Sequence, residues 1–318
     1  MLLVTGAAGF VGSAVVRRAA ADGRRVRAAV RTAPAAPIAG AEYVTGLDVA
    51  EPAGWDAALT GVDTIVHAAA RVHVMHDAAA DPLAEFRRVN VEGTVRLARQ
   101  AAAAGVRRLV FVSSIKVNGE GTPPGRPYLA TDAPAPADPY GVSKLEAEQG
   151  LHEVSAATGL EVAVVRPVLV YGPGVKGNLA TMMRWLDRGV PLPLGAVDNR
   201  RSLVALDNLV DLLLTCADHP RAPGGTFLVS DGDDLSTSAL LRRMSRALGT
   251  SPRIVPVPAA LLRLGLAATG RGDLARRLFG SLQVDITPTT ERLGWRPTAS
   301  AEHALRATAG VFLEQRRG

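Results

Sequence analysis

The sequence predicts an α/β protein in which a doubly wound parallel sheet is followed by a smaller, mixed α/β C-terminal region. Short apolar segments of strand type alternate with segments of helical spacing as far as Pro167, a pattern typical of a parallel sheet covered by helices on both faces. Beyond Pro167 the alternation becomes irregular. We therefore place a first unit at residues 1–170, to which 201–230 is expected to return, and a second at 171–200 and 231–318.

The elements of the first unit follow from the order of these segments. Helical spacing predicts helices over 10–22, 82–104 and 139–158, with Asp138 as the N-cap of the third. A segment dense in glycine and proline, 117–139, predicts a long loop of the kind that forms lids or substrate walls. Apolar runs predict strands at 2–5, 25–30, 42–45, 63–67, 107–113 and 161–166.

The composition is that of a folded globular protein. Apolar residues make up 47% of the 318 residues and charged ones 21%, which excludes the disordered class. The single cysteine, Cys216, excludes an internal disulfide and favours a reducing compartment. No secretory leader and no apolar run of about 18 residues is present, so we expect a cytoplasmic protein without an integral membrane segment.

The positive charges are unevenly distributed and consist almost entirely of arginine. Residues 240–318 contain 13 Arg against 5 acidic residues, while the whole chain has a net charge of +6. Such a region attracts diphosphates, nucleic acid or anionic lipid, but the sequence has no nucleic-acid recognition motif, and we expect no nucleic-acid partner. Lys116, Lys144 and Lys176 are the only lysines among 36 basic residues. We interpret them as positions where the chemistry requires a compact ammonium.

A glycine-rich turn, TGAAGFVG at residues 5–12, lies between the first predicted strand and the first predicted helix. Gly6, Gly9 and Gly12 allow a tight turn, close approach of a pyrophosphate and close packing of the helix on the strand. The N-terminus of the helix attracts phosphate charge. The sequence thus predicts a Rossmann-type sheet that binds a nicotinamide dinucleotide.

The end of the second predicted strand indicates which dinucleotide is preferred. An NAD-selective site needs a carboxylate there to bind the ribose hydroxyls, and the sequence has Val30 and Arg31 instead. A guanidinium pairs well with a 2′-phosphate. We therefore predict a preference for NADP over NAD, with an Arg31 that simply faces solvent as the alternative.

Three residues predict the catalytic chemistry. Tyr140 and Lys144 are four residues apart near the start of a helix and so lie on one face, while Ser114 follows the fifth predicted strand, where a doubly wound sheet binds its ligand. A neighbouring ammonium lowers the pKa of a phenol from about 10, which allows it to exchange protons near neutral pH. Ser114 would then orient the substrate oxygen.

Four segments, TGAAGFVG, SSIKVNG, PYGVSK and RPVLVYGPG, resemble the extended short-chain dehydrogenases of the NAD-dependent epimerase/dehydratase family that act on nucleotide sugars. The resemblance covers nearly the whole chain. SSIKVNG is similar to a subgroup of UDP-sugar 4-epimerases and UDP-4-keto-6-deoxy-N-acetylhexosamine reductases.

This resemblance implies further site residues. It places Asn90 in the active-site scaffold, and Asn178 and Arg201 on the nucleotide diphosphate. Lys116 and Asn118, which replaces a frequent tyrosine, are expected either to shape the sugar pocket or only to stabilise the loop. The residues implied for the cofactor, beside the three glycines, Arg31 and Lys144, are Phe10, Val11, Asp48, Val49, Ala68, Ala69, Ala70 and Pro167.

The same residues allow more than one function. Because the acidic residue after the second strand is missing, we predict a reductase that uses NADPH on the C4 ketone of a UDP-4-keto-6-deoxy-N-acetylhexosamine. A UDP-glucose or UDP-N-acetylglucosamine 4-epimerase is the alternative, and a non-catalytic NADP-sensing protein is a second one. The resemblance implies a homodimer formed through the helices at 82–104 and 139–158. No metal site is expected, even at His73, His76 and Asp77.

Overall fold

A single parallel sheet forms the centre of the protein. The computed structural model describes residues 1–51, 53–72, 81–123, 125–268, 275 and 278–317. Its strands are β1 (Leu2–Thr5), β2 (Val26–Ala29), β3 (Ala41–Val44), β4 (Thr64–His67), β5 (Arg108–Val112), β6 (Glu161–Pro167), β7 (Leu169–Tyr171), β8 (Leu203–Ala205) and β9 (Thr226–Val229). Within the described residues, β3-β2-β1-β4-β5-β6-β9 form a seven-stranded sheet, while β7 and β8 pair separately. The predicted doubly wound α/β fold is confirmed.

The strand order reverses beside β1, and this reversal locates the ligand crevice. β1 pairs in parallel with β2 on one side and with β4 on the other, so that Thr5 lies opposite both Ala29 and His67. Chain segments leaving the carboxyl ends of β1 and β4 diverge to opposite faces of the sheet. A crevice at such a point is where open α/β sheets bind ligands.

Helices cover both faces of the sheet. The helices of this unit are α1 (Phe10–Ala21), α2 (Trp55–Leu59), α3 (Pro82–Phe86), α4 (Thr94–Ala103), α5 (Pro139–Thr158) and α7 (Leu206–Asp218), and α6 (Gly177–Asp187) lies between the last two in the chain. Alternate residues of β1 point to opposite faces, so that Val4 packs with the residues under α1 and α7, and Leu3 with those under α2, α4 and α5. Cys216 of α7 is fully buried, and burial raises the pKa of its thiol to about 12.

The helix predicted over 82–104 is not regular. Between α3 and α4 the chain forms a wide π turn, Arg87–Gly93, in which the backbone of Gly93 lies against Val49; a Cβ on Gly93 would be 2.5 Å from the Val49 carbonyl oxygen. The turn directs the buried side chain of Asn90 inward. Wide turns of this kind frequently occur at functional sites.

The C-terminal half contributes its own core. α6 packs on α8 (Thr237–Ala247), α8 packs on the helix Ala301–Arg317, and their side chains share a hydrophobic cluster with Tyr171 and Phe279. The helices α9 (Ala259–Ala268) and Thr287–Leu293 complete this half. Within the segment predicted to return to the first unit, α7 packs on the main sheet and β9 is its edge strand beside β6, whereas β8 pairs with β7. In the part of the chain that is described, no helix has the length and apolar character needed to span a bilayer.

Candidate active site

The glycine turn after β1 has no room for side chains. Gly6 has a φ of 63°, and a Cβ there would be 2.7 Å from the backbone nitrogen of Ala69. A Cβ on Gly12 would overlap the carbonyl oxygen of Gly6. The turn, the first residues of α1 and the exit of β4 are therefore packed backbone against backbone.

The N-terminus of α1 suits a pyrophosphate. Its N-cap is Gly9, which provides no side-chain cap, and its first turn contains no acidic residue. Ala8 and Gly9 are exposed, so this end of the helix is accessible to a ligand. The side chains of Phe10 and Val11 are half-buried and pack on the α1 face of the core, which leaves their backbone for a ligand. The residues present fit a dinucleotide.

A buried histidine connects this turn to β4. His67 Nδ1 lies 2.6 Å from the Thr5 hydroxyl and its Nε2 2.9 Å from the Thr94 hydroxyl. Burial, together with the charge of Lys144, lowers the pKa of His67 to about 3, so the imidazole is neutral. The Thr5 hydroxyl also accepts the Ala69 N–H at 3.3 Å. This network fixes the segment Ala68, Ala69 and Ala70 at the edge of the crevice.

The residues predicted for the adenosine end lie together. Arg31 is exposed, and its Nη1 is 4.0 Å from Asp48 Oδ2. Asp48 Oδ1 accepts the Ala50 N–H, which fixes the turn after β3. Val30 and Val49 are buried beneath them. Arg31 is thus an exposed cation beside a partly exposed carboxylate.

Ser114, Tyr140 and Lys144 are brought together at the carboxyl end of β5. Asp138 caps α5 by accepting the Gly141 N–H at 2.7 Å, and this start of the helix places Tyr140 and Lys144 one turn apart. The Tyr140 hydroxyl is hydrogen-bonded to Ser114. Lys144 Nζ lies 5.9 Å from the centroid of the Tyr140 ring. The three side chains therefore lie close together, and their catalytic roles stay a prediction.

The charges at this cluster are sensitive to burial. Burial, with a smaller contribution from the charge of Asp138, raises the pKa of Tyr140 to about 12, and the hydrogen bond from Ser114 opposes this rise. Burial lowers the pKa of Lys144 to about 7, against the influence of Glu148. Lys144 Nζ donates to the Val112 carbonyl at 2.9 Å. The ammonium is therefore held at the carboxyl end of β5, 4.5 Å from the centroid of the Phe111 ring, at a cost in solvation.

A buried ionic network lies behind the cluster, and sequence reasoning missed it. Glu148, one turn beyond Lys144, forms an ion pair with Arg166 of β6, with both side chains almost fully buried. Ser113 Oγ donates to Glu148 Oε1 at 2.5 Å, and Arg166 Nη1 donates to Asn118 Oδ1 at 2.9 Å. Two features of the sequence could have indicated this network: Glu148 follows Lys144 by four residues, and Arg166 lies at the end of a predicted strand.

The structure accounts for the side chains of Lys116 and Asn118 within the protein itself. Asn118 is buried, accepts from Arg166 and donates to the Leu129 carbonyl at 2.9 Å, so it anchors the loop. Lys116 Nζ contacts the Asp138 carboxylate and lies 3.0 Å from Glu120 Oε1. Of the two expectations for these residues, loop stabilisation is the one with observed contacts, and contact with a sugar stays a prediction.

The remaining predicted residues are placed as follows. Asn90 Nδ2 donates to Ser143 Oγ at 3.0 Å and its Oδ1 accepts the Arg71 N–H, which joins the π turn to α5. Pro167 is buried at the end of β6. Asn178 is exposed in the first turn of α6, and Arg201 donates to the Gly280 carbonyl at 3.2 Å. His73, His76 and Asp77 lie outside the described residues, which themselves contain no group of three potential metal ligands.

The sheet, the glycine turn and the Ser, Tyr, Lys cluster together define a dinucleotide-dependent enzyme of the short-chain dehydrogenase class. A model of the NAD-dependent epimerase/dehydratase family matches residues 2–230, and the chain belongs to this family.

The relatives are similar to the chain over its whole length. A UDP-glucose 4-epimerase of Vibrio cholerae is 44% identical over 315 residues, which is 98% of this chain and 95% of that protein. Two solved structures share the fold at 23% identity. A Thermotoga maritima UDP-glucose 4-epimerase with UDP-glucose has a TM-score of 0.79 and 99% coverage of both chains. A Thermus thermophilus UDP-glucose 4-epimerase complexed with NAD has a TM-score of 0.78 and 98% coverage of both.

Proposed function

We propose that the protein is a UDP-sugar 4-epimerase and that UDP-glucose is its first substrate to test. The observation that carries this choice is the 44% identity to the Vibrio cholerae UDP-glucose 4-epimerase across nearly all of both chains. The reductase predicted from the sequence has no comparable support. The reductase was predicted because no carboxylate follows β2, but that feature bears on the choice of cofactor and not on the reaction.

The contacts of the cluster support proton exchange with a sugar hydroxyl. Tyr140 accepts the proton of the C4 hydroxyl and later returns it, while Ser114 hydrogen-bonds the same oxygen and orients it. The bound dinucleotide would supply a hydride acceptor and donor for C4. Burial raises the pKa of Tyr140. In this proposal the ammonium of Lys144, with its Nζ 5.9 Å from the centroid of the Tyr140 ring, would favour the phenolate that acts as the base.

The substrate is proposed to lie between the sheet and the C-terminal half. In this proposal residues 171–200 and 231–318 form the substrate-binding region, and Asn178 and Arg201 bind the diphosphate. Burial lowers the pKa of Arg201, which shows that its guanidinium is largely withdrawn from water, as suits a cation that binds a phosphate. The loop between β5 and α5 would cover the sugar.

The cofactor is proposed to be a nicotinamide dinucleotide held in the glycine turn. The Thermus thermophilus relative in structure is complexed with NAD, which favours NAD. Arg31, exposed at the end of β2, is the reason to test NADP as well. Release of the cofactor from purified protein, followed by mass spectrometry, distinguishes the two.

The decisive experiment measures epimerisation and net reduction separately. Purified protein is incubated with UDP-glucose, and formation of UDP-galactose without net change in the dinucleotide is the expected result. A Tyr140→Phe variant serves as the control and is expected to lose the activity. Consumption of NADPH with UDP-4-keto-6-deoxy-N-acetylglucosamine, without any interconversion of UDP-glucose, would overturn the epimerase and favour the reductase. Binding of NADP with neither activity would favour the sensor.

Two further expectations belong to this proposal. We propose a homodimer formed through α4, α5 and the π turn, which light scattering of the purified protein tests by mass. We also propose a cytoplasmic location, which cell fractionation tests.

A further inference from the structure

Lys116 is bound between two carboxylates close to the catalytic cluster. It lies two residues after Ser114, in the short helical turn Ile115–Val117. Its ammonium contacts Asp138 and is 3.0 Å from Glu120 Oε1. The side chain of Lys116 is 28% exposed and that of Asp138 19%, so their ion pair is only partly screened by water.

Each carboxylate oxygen of Asp138 has a partner in the protein. Oδ1 accepts the Gly141 N–H and caps α5, and Oδ2 faces Lys116. The backbone of Lys116 also lies against the same turn, because a Cβ on Gly141 would be 2.9 Å from the Lys116 carbonyl oxygen. Lys116 therefore connects the Ser114 turn to the helix end that carries Tyr140.

The charge of Asp138 acts against catalysis by Tyr140. A carboxylate two residues from the phenol disfavours the phenolate, and Asp138 raises the pKa of Tyr140. The cap of α5 nevertheless requires an oxygen acceptor at this position. A cation in contact with Asp138 retains the cap and offsets its charge.

We propose that Lys116 is a positioning residue whose ammonium neutralises Asp138 beside Tyr140 and thereby favours the phenolate, the form of Tyr140 that accepts a proton. This inference rests on the role of Tyr140 in the proposed function. It also accounts for one of the three lysines in a chain with 36 basic residues. A compact ammonium fits between two carboxylates, whereas a planar guanidinium presents a wider fork.

Other groups around Tyr140 stay constant in the test. Lys144 Nζ lies 5.9 Å from the centroid of its ring, the ring of Phe86 packs edge-on at 6.0 Å, and the Arg71 guanidinium lies 5.6 Å from the centroid of the Phe86 ring. Further along the same elements, Arg87 pairs with Glu146. The side chain of Glu120 is 43% exposed, so water screens its charge when Lys116 is removed.

The first measurement needs no turnover. Fluorotyrosine, which has a more acidic phenol, is incorporated at the four tyrosines, and fluorine NMR follows each resonance with pH at saturating NAD. Tyr140→Phe assigns the Tyr140 resonance. Lys116→Met is expected to move its titration midpoint upward and Asp138→Asn to move it downward. Asparagine is itself a good N-cap, so the second variant keeps α5 intact.

The double variant decides the result. If Lys116 acts through Asp138, then Lys116→Met has little effect in the Asp138→Asn background, and the double variant titrates within error of the Asp138→Asn single variant. A midpoint unchanged by Lys116→Met in the parent, or an equal shift in both backgrounds, would overturn the proposal. Circular dichroism of each variant confirms that it is folded.

Turnover separates this inference from the proposed function. In an active epimerase, Lys116→Met is expected to move the rising limb of kcat/KM to higher pH, with about a threefold to tenfold loss near pH 7. Asp138→Asn should largely suppress that loss. Shifted fluorine midpoints in a protein that does not epimerise UDP-sugars would leave the inference standing and reject the function. Epimerisation of UDP-sugars together with unshifted fluorine midpoints would reject the inference and leave the proposed function standing.

Discussion

Arg166 Nη2 lies 2.6 Å from Glu148 Oε2, and this ion pair is buried directly behind the carboxyl end of β5. Glu148 also accepts from Ser113, and Arg166 also donates to Asn118. One interaction network thus supports the strand that leads to Ser114, the helix of Tyr140 and the loop after Ser114.

Removing one partner of this pair is expected to be costly. Glu148→Gln leaves the buried charge of Arg166 uncompensated and should lower the free energy of unfolding by about 3–5 kcal/mol. Urea denaturation measures the free energy of unfolding of each variant. The double variant Glu148→Leu, Arg166→Met should recover most of the loss, because two apolar side chains replace two buried charges. Equal losses in the single and double variants would show that packing rather than charge determines the effect.

Lys144 is expected to destabilise the protein near neutral pH. Its pKa falls from 10.5 in the unfolded chain to about 7 in the folded one, so the unfolded chain binds the proton more tightly. The free energy of unfolding therefore falls as the pH is lowered from about 10.5 to 7, by up to about 5 kcal/mol. Lys144→Met should remove this dependence and abolish turnover. Denaturation curves at several pH values compare the two proteins, and parallel pH dependences would contradict the prediction.

The glycine turn gives a prediction with a matched control. Gly12→Ala places a methyl group against the Gly6 carbonyl, so we expect a loss of at least about 2 kcal/mol in stability and loss of dinucleotide binding. Gly310→Ala, in the exposed face of the C-terminal helix with nothing within 4 Å, should stabilise by roughly 0.5–1 kcal/mol. Thermal denaturation measures the stability of both variants, and calorimetric titration with the dinucleotide measures their binding. Unimpaired binding by Gly12→Ala would place the cofactor elsewhere.

Arg31 decides the predicted cofactor preference. If its guanidinium pairs with a 2′-phosphate, Arg31→Ala should weaken NADP binding about 10- to 100-fold and leave NAD binding unchanged. Arg17→Ala, also an exposed arginine, is the control for a general loss of positive charge. An equal effect of both substitutions, or none, would reject the preference for NADP.

The sequence predicted most of the sheet because its strands are short apolar runs separated by glycine and proline. β1 and α5 were predicted to within a residue, since Asp138, Pro139 and Gly159 mark the ends of α5 clearly. The π turn was not predicted, because Gly93 is a single glycine inside a segment of otherwise helical spacing, and one glycine does not by itself interrupt a helix. Its cause is a tertiary contact, the close approach of Gly93 to Val49.

The candidate site was predicted where short motifs carry the chemistry and missed where contacts cross the fold. Ser114, Tyr140 and Lys144 belong to local motifs, so their roles could be proposed before their positions were known. The partners of Lys116 and Asn118 come from segments 22 and 48 residues away, Asp138 and Arg166, and no local pattern indicates them. A polar side chain near a catalytic motif can therefore stabilise the protein's own structure as readily as it can bind the substrate.

The position of Cys216 has a practical consequence. With its thiol fully enclosed in α7 and its pKa raised to about 12, it reacts slowly with maleimides in the native protein. A cysteine introduced at the exposed Leu129 would then be the sole attachment point for a fluorophore or spin label. Movements of the loop over the crevice could be followed in this protein without first removing a native thiol.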